Sequence, residues 1–343
     1  MLGIGARGKG LVRLAIGVAA LALSACSTLY PPGPEAVVVD EPAVIFEPPL
    51  ATIEVKPLER VPAPPQLPSV AIVLTSAEPA YAEVARELLR HFKKYDLYDL
   101  NEDSRPPVSV LRLINDSDSS AVIAVGLRAA QSSVAMANTP VVFSQVFNHQ
   151  DFDLLGDNSR GVAVLAPLDA QIAEWKKIDP TVTRIGVIIG EGHDELIAEA
   201  EIAAQRHDVE LRVHIAHSDQ ETLYFFRRMI RDIDGFWLFP DNRILSGRVL
   251  QQMLADANRQ HVPVVVPIES MLGMGASISM STVAADIAKT IVSIVRKIQA
   301  GELGRVPPMS QLSEIRIATN DELLQKRIVA RTSTDQSGQA VEQ

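Results

Sequence analysis

From Ser69 onward, short apolar runs alternate with segments of helical periodicity, and this alternation limits the fold more than any other feature of the 343-residue chain. Val70–Leu74 is a continuous apolar run, which is typical of a strand buried on both faces. Between Tyr81 and Phe92, apolar residues recur every third or fourth position, as on one face of a helix. Strands separated by helices of about 10–15 residues form right-handed βαβ units. The sequence therefore predicts an α/β body.

The alternation forms two series of similar size, separated by a break at residues 166–183. A (β/α)₈ barrel has the same ingredients and is the alternative, but the break favours two separate sheets. We predict an α/β fold with two doubly wound, Rossmann-like lobes of parallel sheet and a cleft between them. The predicted strands are Val70–Leu74, Val108–Leu111, Ala121–Val125, Pro140–Phe143 and Gly161–Leu165 in the first series, and Ile185–Ile189, Glu210–Ile215, Gly235–Phe239 and Val262–Val266 in the second.

The last long predicted helix, Val283–Ala300, follows the second series and carries isoleucines along one stripe. We therefore expect it to return and pack on the first lobe. The predicted boundaries are residues 69–166 plus 276–330 for lobe 1, 167–275 for lobe 2, and 331–343 for a disordered tail.

Residues 1–25 have the layout of a bacterial signal peptide, with basic residues before the apolar run Leu14–Leu23. This run is shorter than the ~20 residues that a transmembrane helix needs. It leads into Leu23-Ser24-Ala25-Cys26, which resembles the bacterial lipobox, whose cysteine thiol receives a diacylglycerol and becomes the first residue of the processed protein. A plain secretory signal with a chance cysteine is the alternative. By the same resemblance, Ser27 implies sorting to the outer membrane, with the protein facing the periplasm.

Residues 26–68 are predicted to form a tether behind the lipidated cysteine. Half of the 22 prolines lie in residues 31–68. Proline fixes φ and removes hydrogen-bond donors, so this composition predicts a semi-rigid, extended spacer. An ordered arm that docks on the body through Val37–Val39 and Val44–Phe46 is the alternative.

Composition excludes several classes of function. Cys26 is the one cysteine of the chain, so no intramolecular disulfide and no cysteine-rich metal site can form. The formal net charge is −10, and removal of the basic first segment leaves −13, which argues against nucleic-acid binding. Nucleophile-elbow, phosphate-loop and zinc-helix motifs are missing. The sequence therefore predicts a binding protein rather than an enzyme, with no metal or cofactor.

Candidate binding residues follow from the rule that ligands of open parallel sheets lie beyond the carboxyl ends of the strands. Asp241 and Glu269 could meet a ligand ammonium or be solvated loop charges. Helix capping is the alternative role for Ser76, and a tight turn is the alternative for Gly126. The candidates are Ser76, Gly126, Gln145, Phe147, Asn148, Asp241, Asn242, Glu269 and Ser270.

Three stretches point to a family. Thr139–Ser144, Asp234–Asn242 and Val262–Pro267 resemble the ABC-transporter substrate-binding proteins of type I periplasmic binding fold, a family with tryptophan- and tyrosine-binding members. The resemblance implies two lobes that close over a small organic solute such as an amino acid, and it points to the candidate residues given above. The chain departs from the family at Asn148-His149, where an Asp-Pro pair is usual.

Two functions are compatible with these observations. The body resembles the solute-binding protein of an importer, which would work with an ABC permease. Outer-membrane sorting instead favours a scaffold or regulator of an envelope complex, because an importer lies in the inner membrane. In both cases the protein is expected to be lipid-anchored in the bacterial cell envelope.

The lipid anchor has a direct test. The substitution Cys26→Ser removes the thiol that would be acylated, so the variant should leave the membrane fraction and appear in the soluble fraction. Acyl chains contribute ~0.8 kcal/mol per buried CH₂, so the wild-type chain should remain with the membranes. If the Cys26→Ser variant still fractionates with the membranes as the wild type does, the lipobox interpretation is wrong.

Overall fold

The computed structural model describes residues 69–101 and 105–326. The predicted signal peptide, Cys26, the tether at 26–68 and the tail at 331–343 lie outside these ranges. The strands are β1 Val70–Leu74, β2 Tyr95–Asp99, β3 Val122–Val125, β4 Val141–Ser144, β5 Ser159–Val162, β6 Arg184–Ile189, β7 Glu210–Ile215, β8 Gly235–Trp237, β9 Val264–Val266, β10 Ile278–Ser281, β11 Met309–Ser310 and β12 Arg316–Thr319. The α-helices are α1 Pro79–Leu89, α2 Pro107–Asn115, α3 Leu127–Met136, α4 Leu168–Ile178, α5 Asp194–Arg206, α6 Asp219–Met229, α7 Gly247–Arg259 and α8 Ala284–Gln299.

The strands form two separate six-stranded sheets. The order is β11-β5-β4-β3-β1-β2 in the first lobe and β12-β10-β9-β8-β6-β7 in the second. All neighbours are parallel except β10 and β12, which are antiparallel. The predicted α/β fold with two doubly wound lobes is therefore confirmed, and the barrel alternative is wrong.

The lobe boundaries differ from the predicted ones at the C-terminal side. Strands β10 and β12 lie within residues 276–330, which the sequence analysis assigned to lobe 1, but they pair in the sheet of the second lobe. The chain thus crosses between lobes three times, after β5, after β10 and after β11. The four-residue strand β10 was missed because Ser279 and Ser281 interrupt its apolar character.

One predicted strand is a helix. Residues Val108–Leu111 belong to α2, which begins at a proline and buries Val110, Leu111 and Ile114 with helical spacing. The edge position of the first sheet is taken by β2 instead. Its sequence, Tyr-Asp-Leu-Tyr-Asp, is mostly exposed, so it lacks the apolar run that marks the inner strands.

Each sheet is covered by helices on both faces. Helix α8 packs against α1 on the first sheet, where Ile287, Ile291 and Ile294 are buried in one core. In the second lobe, Trp175 of α4 and Trp237 of β8 are buried in one core with residues of α5. No helix within the described ranges combines the length and the apolar character needed to cross a membrane.

Asp286 connects the last crossover to α8. Its carboxylate accepts hydrogen bonds from the backbone N–H groups of Ser313 at 2.7 Å and Glu314 at 2.9 Å, and from the Ser313 hydroxyl at 2.9 Å. Burial alone would raise the pKa of Asp286, but these hydrogen bonds outweigh it and lower the pKa below its usual value. The first turn of α8 therefore holds the segment that carries the chain back to the second lobe.

The packing of α8 on the first lobe can be measured. Ile291 is fully buried, so Ile291→Ala should lower the free energy of unfolding by about 3 kcal/mol through lost burial and the cavity left behind. Ser293→Ala, an exposed position on the same helix, should change it by less than about 0.5 kcal/mol. Equal effects in urea titrations would contradict this packing.

Candidate functional site

At the carboxyl ends of β1 and β3, the backbone comes into close contact. Gly126 has φ +88°, and a Cβ there would lie 2.6 Å from Thr75 Oγ1. The Thr75 hydroxyl accepts a hydrogen bond from Ala129 N at 3.1 Å and so caps α3. Residue 126 is therefore glycine for two reasons: it adopts a positive φ in the turn, and it leaves room for the Thr75 side chain.

Two hydroxyls at this edge of the first sheet lack partners. Ser76 does not cap α1, which has no side-chain cap. The Oγ atoms of Ser76 and Ser144 are buried without a hydrogen-bond partner among the described residues. Gln145, which follows Ser144, adopts a left-handed backbone with φ +59°. This turn carries the following residues toward the second lobe.

Asn148 joins the two lobes. Its Nδ2 donates to Asp241 Oδ1 at 3.1 Å and to Asn242 Oδ1 at 3.2 Å, both beyond the carboxyl end of β8. Its Oδ1 lies 3.0 Å from Nε2 of His193, which follows β6. Asn148 and His193 are only 7% and 3% exposed, so these are buried contacts. The loop after β4 thus meets two loops of the opposite lobe.

Asp241 is the centre of these contacts. It is 1% exposed, and its Oδ2 accepts from Gly190 N at 2.9 Å. Arg243 donates to both of its oxygens, from Nε at 2.9 Å and from Nη2 at 2.7 Å. Burial would raise the pKa of Asp241, but hydrogen bonds from Arg243, His193 and Gly190 outweigh it and hold the pKa far below its usual value. The carboxylate is therefore ionised and occupied by donors of this chain.

Gly190 is required by this arrangement. A Cβ at this position would lie 2.6 Å from Asp241 Oδ2 and 2.8 Å from Arg243 Nη2. A side chain would displace the ion pair.

Arg243 extends the contacts across the lobes again. Its Nη1 donates to both carboxylate oxygens of Asp151, in the first lobe, at 3.0 and 3.1 Å. Its Nη2 donates to Glu191 O at 3.0 Å and lies 2.8 Å from His193 Nε2. We call Asn148, Asp151, His193, Asp241 and Arg243 the interlobe network.

A cavity of about 680 Å³ lies beside the interlobe network. Both lobes line it, as do two stretches that we call the crossover segments: residues 163–168, around the crossover after β5, and residues 308–311, at the start of the crossover after β11. Its apolar lining includes Phe147, Leu165, Leu168 and Met309. The Phe147 ring lies 4.8 Å from the ring of His193, measured between centroids. The cavity thus presents an apolar, partly aromatic wall next to a polar one.

The polar side of the cavity is contributed by side chains from both lobes. His149, Gln150 and Gln311 line it, as do Asp194, Glu195 and Glu199 at the start of α5, which are exposed at its rim. Burial lowers the pKa of His149 below its usual value, so its imidazole is neutral at neutral pH.

The structure brings only part of the predicted site together. Asn148, Asp241 and Asn242 meet by hydrogen bonds, and Phe147 lines the cavity. Ser76, Gly126 and Gln145 share the carboxyl edge of the first sheet. Glu269 and Ser270 are exposed in a short 3₁₀ helix, and no hydrogen bond of the described chain joins them to the other candidates.

His193, Arg243 and the crossover segments were not predicted. His193 follows β6, so the rule that selected the loops after β4 and β8 would also have selected it. The sequence of the crossover segments contains no feature that would have selected them. They lie beside these loops only because the chain returns from one lobe to the other. Within residues 69–101 and 105–326, no group of three or more His, Cys, Asp or Glu side chains could hold a metal ion.

Breaking the centre of the network should cost stability. Asp241→Asn removes the charge that faces Arg243 and should lower the free energy of unfolding by about 2 kcal/mol. Because the folded-state pKa of Asp241 is depressed, the difference from the wild type should persist at neutral pH and shrink only below about pH 4. Asp151→Asn, at the exposed end of the network, should cost less than about 1 kcal/mol. A larger loss for Asp151 in urea unfolding would refute this ranking.

Comparison with known proteins places the chain in a family. A family model described as ABC transporter substrate binding protein matches residues 87–334. A ligand-free, open substrate-binding protein with adhesive properties from Clostridium difficile has a TM-score of 0.57 and 15% identity, over 76% of this chain and 94% of that chain. No curated protein matches the sequence.

Two further solved structures share the fold. The ABC domain in complex with L-Trp from Streptococcus pneumoniae has a TM-score of 0.54 and 16% identity, over 76% of this chain and 94% of that one. A conserved domain protein from Vibrio cholerae has a TM-score of 0.53 and 19% identity, over 76% and 95%. The family resemblance predicted from the sequence is confirmed: the chain belongs to the ABC transporter substrate-binding protein family.

Proposed function

We propose that this protein binds a small organic solute between its two lobes, as the solute-binding component of an ABC-type importer. The observation that carries the proposal is the cavity of about 680 Å³ lined by both lobes and by two crossover segments. Small-molecule sites have volumes of roughly 300–1,000 Å³ and are mostly apolar with a few polar groups, as this one is. Family membership and the L-Trp complex of the Streptococcus relative support an amino acid or a solute of similar size.

A solute in this cavity would favour the closed arrangement of the lobes. It would touch Phe147 of the first lobe and the start of α5 in the second, and it would lose one of these contacts if the lobes separated. A ligand shifts an equilibrium only by its differential affinity for the two states. The crossover segments are the natural hinge for such a movement. Opening would also require Asn148 and Asp151 to leave Asp241 and Arg243.

The proposal includes an anchor. Acylation of Cys26 and an extended tether would hold the lobes at the periplasmic face of the cell envelope, within reach of a permease. Ser27, by its resemblance to the residue that sorts lipoproteins, would place this anchor in the outer membrane, and this point favours the second candidate function.

A second candidate function is a scaffold or regulator of an envelope complex, anchored in the outer membrane and without a transport role. The interlobe network favours it, because the network is complete without a solute. Asp241 already has Gly190, Arg243 and Asn148 as donors. Two lobes held by their own side chains offer a fixed surface to an envelope partner.

Ligand screening separates the two functions. Purified protein would be screened by thermal shift against amino acids and related solutes, and hits would be measured by calorimetry. A ligand at 100 times its Kd should stabilise the protein by ~2.7 kcal/mol. Phe147→Ala should weaken any hit at least tenfold, whereas Tyr224→Ala, at an exposed aromatic residue of α6, should leave it unchanged.

Absence of any hit, together with a co-purifying envelope protein, would favour the scaffold. A hit that Phe147→Ala leaves unaffected would place the solute elsewhere than in this cavity.

A further inference from the structure

The formal charges around the cavity have one sign. Asp194, Glu195 and Glu199 line it, and no Lys or Arg is among the lining residues. His149 adds no positive charge at neutral pH, because burial lowers its pKa. A cavity of this composition repels anions and attracts cations.

The three carboxylates are not neutralised by the rest of the described chain. None of their side chains takes part in an ion pair or a hydrogen bond within residues 69–101 and 105–326. The guanidinium of Arg243, which belongs to the adjoining network, is directed to Asp241 and Asp151 instead. The carboxylates are therefore available to a ligand.

The N-terminus of α5 does not reverse this preference. A helix N-terminus favours anions, but Asp194 and Glu195 occupy the first turn and already complement it. Gln150 and Gln311 are neutral donors and could bond a ligand carboxylate, but they do not offset three negative charges. A carboxylate placed here would meet like charges, which is unfavourable.

We infer that the solute is an organic cation with a compact apolar or aromatic body, a protonated amine and no carboxylate. This inference rests on the proposed function and specifies its substrate class. The apolar body would pack against Phe147, Leu168 and Met309, and the ammonium would face Glu195 and Glu199. The face of the Phe147 ring can also attract a cation.

The test uses matched probes that share a body and differ in charge. For the indole body these are tryptamine, L-tryptophan and indole-3-acetate; for the phenyl body, phenethylamine, L-phenylalanine and 3-phenylpropionate; for the branched alkyl body, isoamylamine, L-leucine and 4-methylpentanoate. Calorimetry with the purified full chain should show that the amine binds at least tenfold more tightly than its amino acid in at least one set, and that the acids do not bind. Amine binding should weaken as salt increases.

Variants test the assigned carboxylates. The double variant Glu195→Gln and Glu199→Gln should weaken the best amine at least tenfold and should weaken the matching amino acid less. Glu201→Gln, on the same helix but outside the cavity lining, should leave both affinities unchanged. Unchanged unfolding midpoints would show that both variants are folded.

The outcomes distinguish the two proposals. Amino acids or acids that bind as tightly as the amines, or an amine affinity unaffected by the double variant, would overturn the charge inference while solute binding stands. No binding by any member of the three sets also overturns it, and the broad solute screen then decides whether the proposed function fails as well.

Discussion

One buried negative charge lies at the contact between the two lobes. Asp241 is almost completely removed from solvent, and a carboxylate in such a place is tolerated only when its oxygens have charged or polar donors. Gly190 supplies one donor from the second lobe and must lack a side chain to do so. Asn148 supplies another from the first lobe. Arg243 supplies the remaining donors from the second lobe, so the contact between the lobes adds the donor of Asn148 to a carboxylate that is already largely satisfied.

These contacts are the reason that we place the proposed binding site beside the network rather than within it. Residues that could have held a ligand ammonium, above all Asp241, are engaged with Arg243. The cavity next to them keeps carboxylates without such partners, at Asp194, Glu195 and Glu199. Asp241, which contacts both lobes, is thus distinct from Asp194, Glu195 and Glu199, which we propose interact with a solute.

The sequence predicted the strands and loops whose identity depends on neighbouring residues. It missed the strands whose place in a sheet depends on pairing with distant residues. Inner strands such as β1 and β6 are recognisable because burial on both faces demands a continuous apolar run. The rule for strand ends identified Asn148 and Asp241 without knowledge of their contact. Strand β10 is interrupted by two serines, and β12 is mostly exposed and pairs with β10 across more than thirty intervening residues, so the lobe boundary was misplaced. The glutamates of α5 look like ordinary surface charges until the crossover segments enclose a cavity beside them.

The C-terminal strands have a consequence for how the chain acquires its structure. Strand β11 completes the first sheet and β12 completes the second, and both come after residue 308. Neither half of the molecule can form its last backbone pairing until the polypeptide is almost fully available. Pairing between strands that are far apart in the sequence slows folding. If the polypeptide crosses a membrane through a channel, the two sheets would be completed only when translocation is nearly finished.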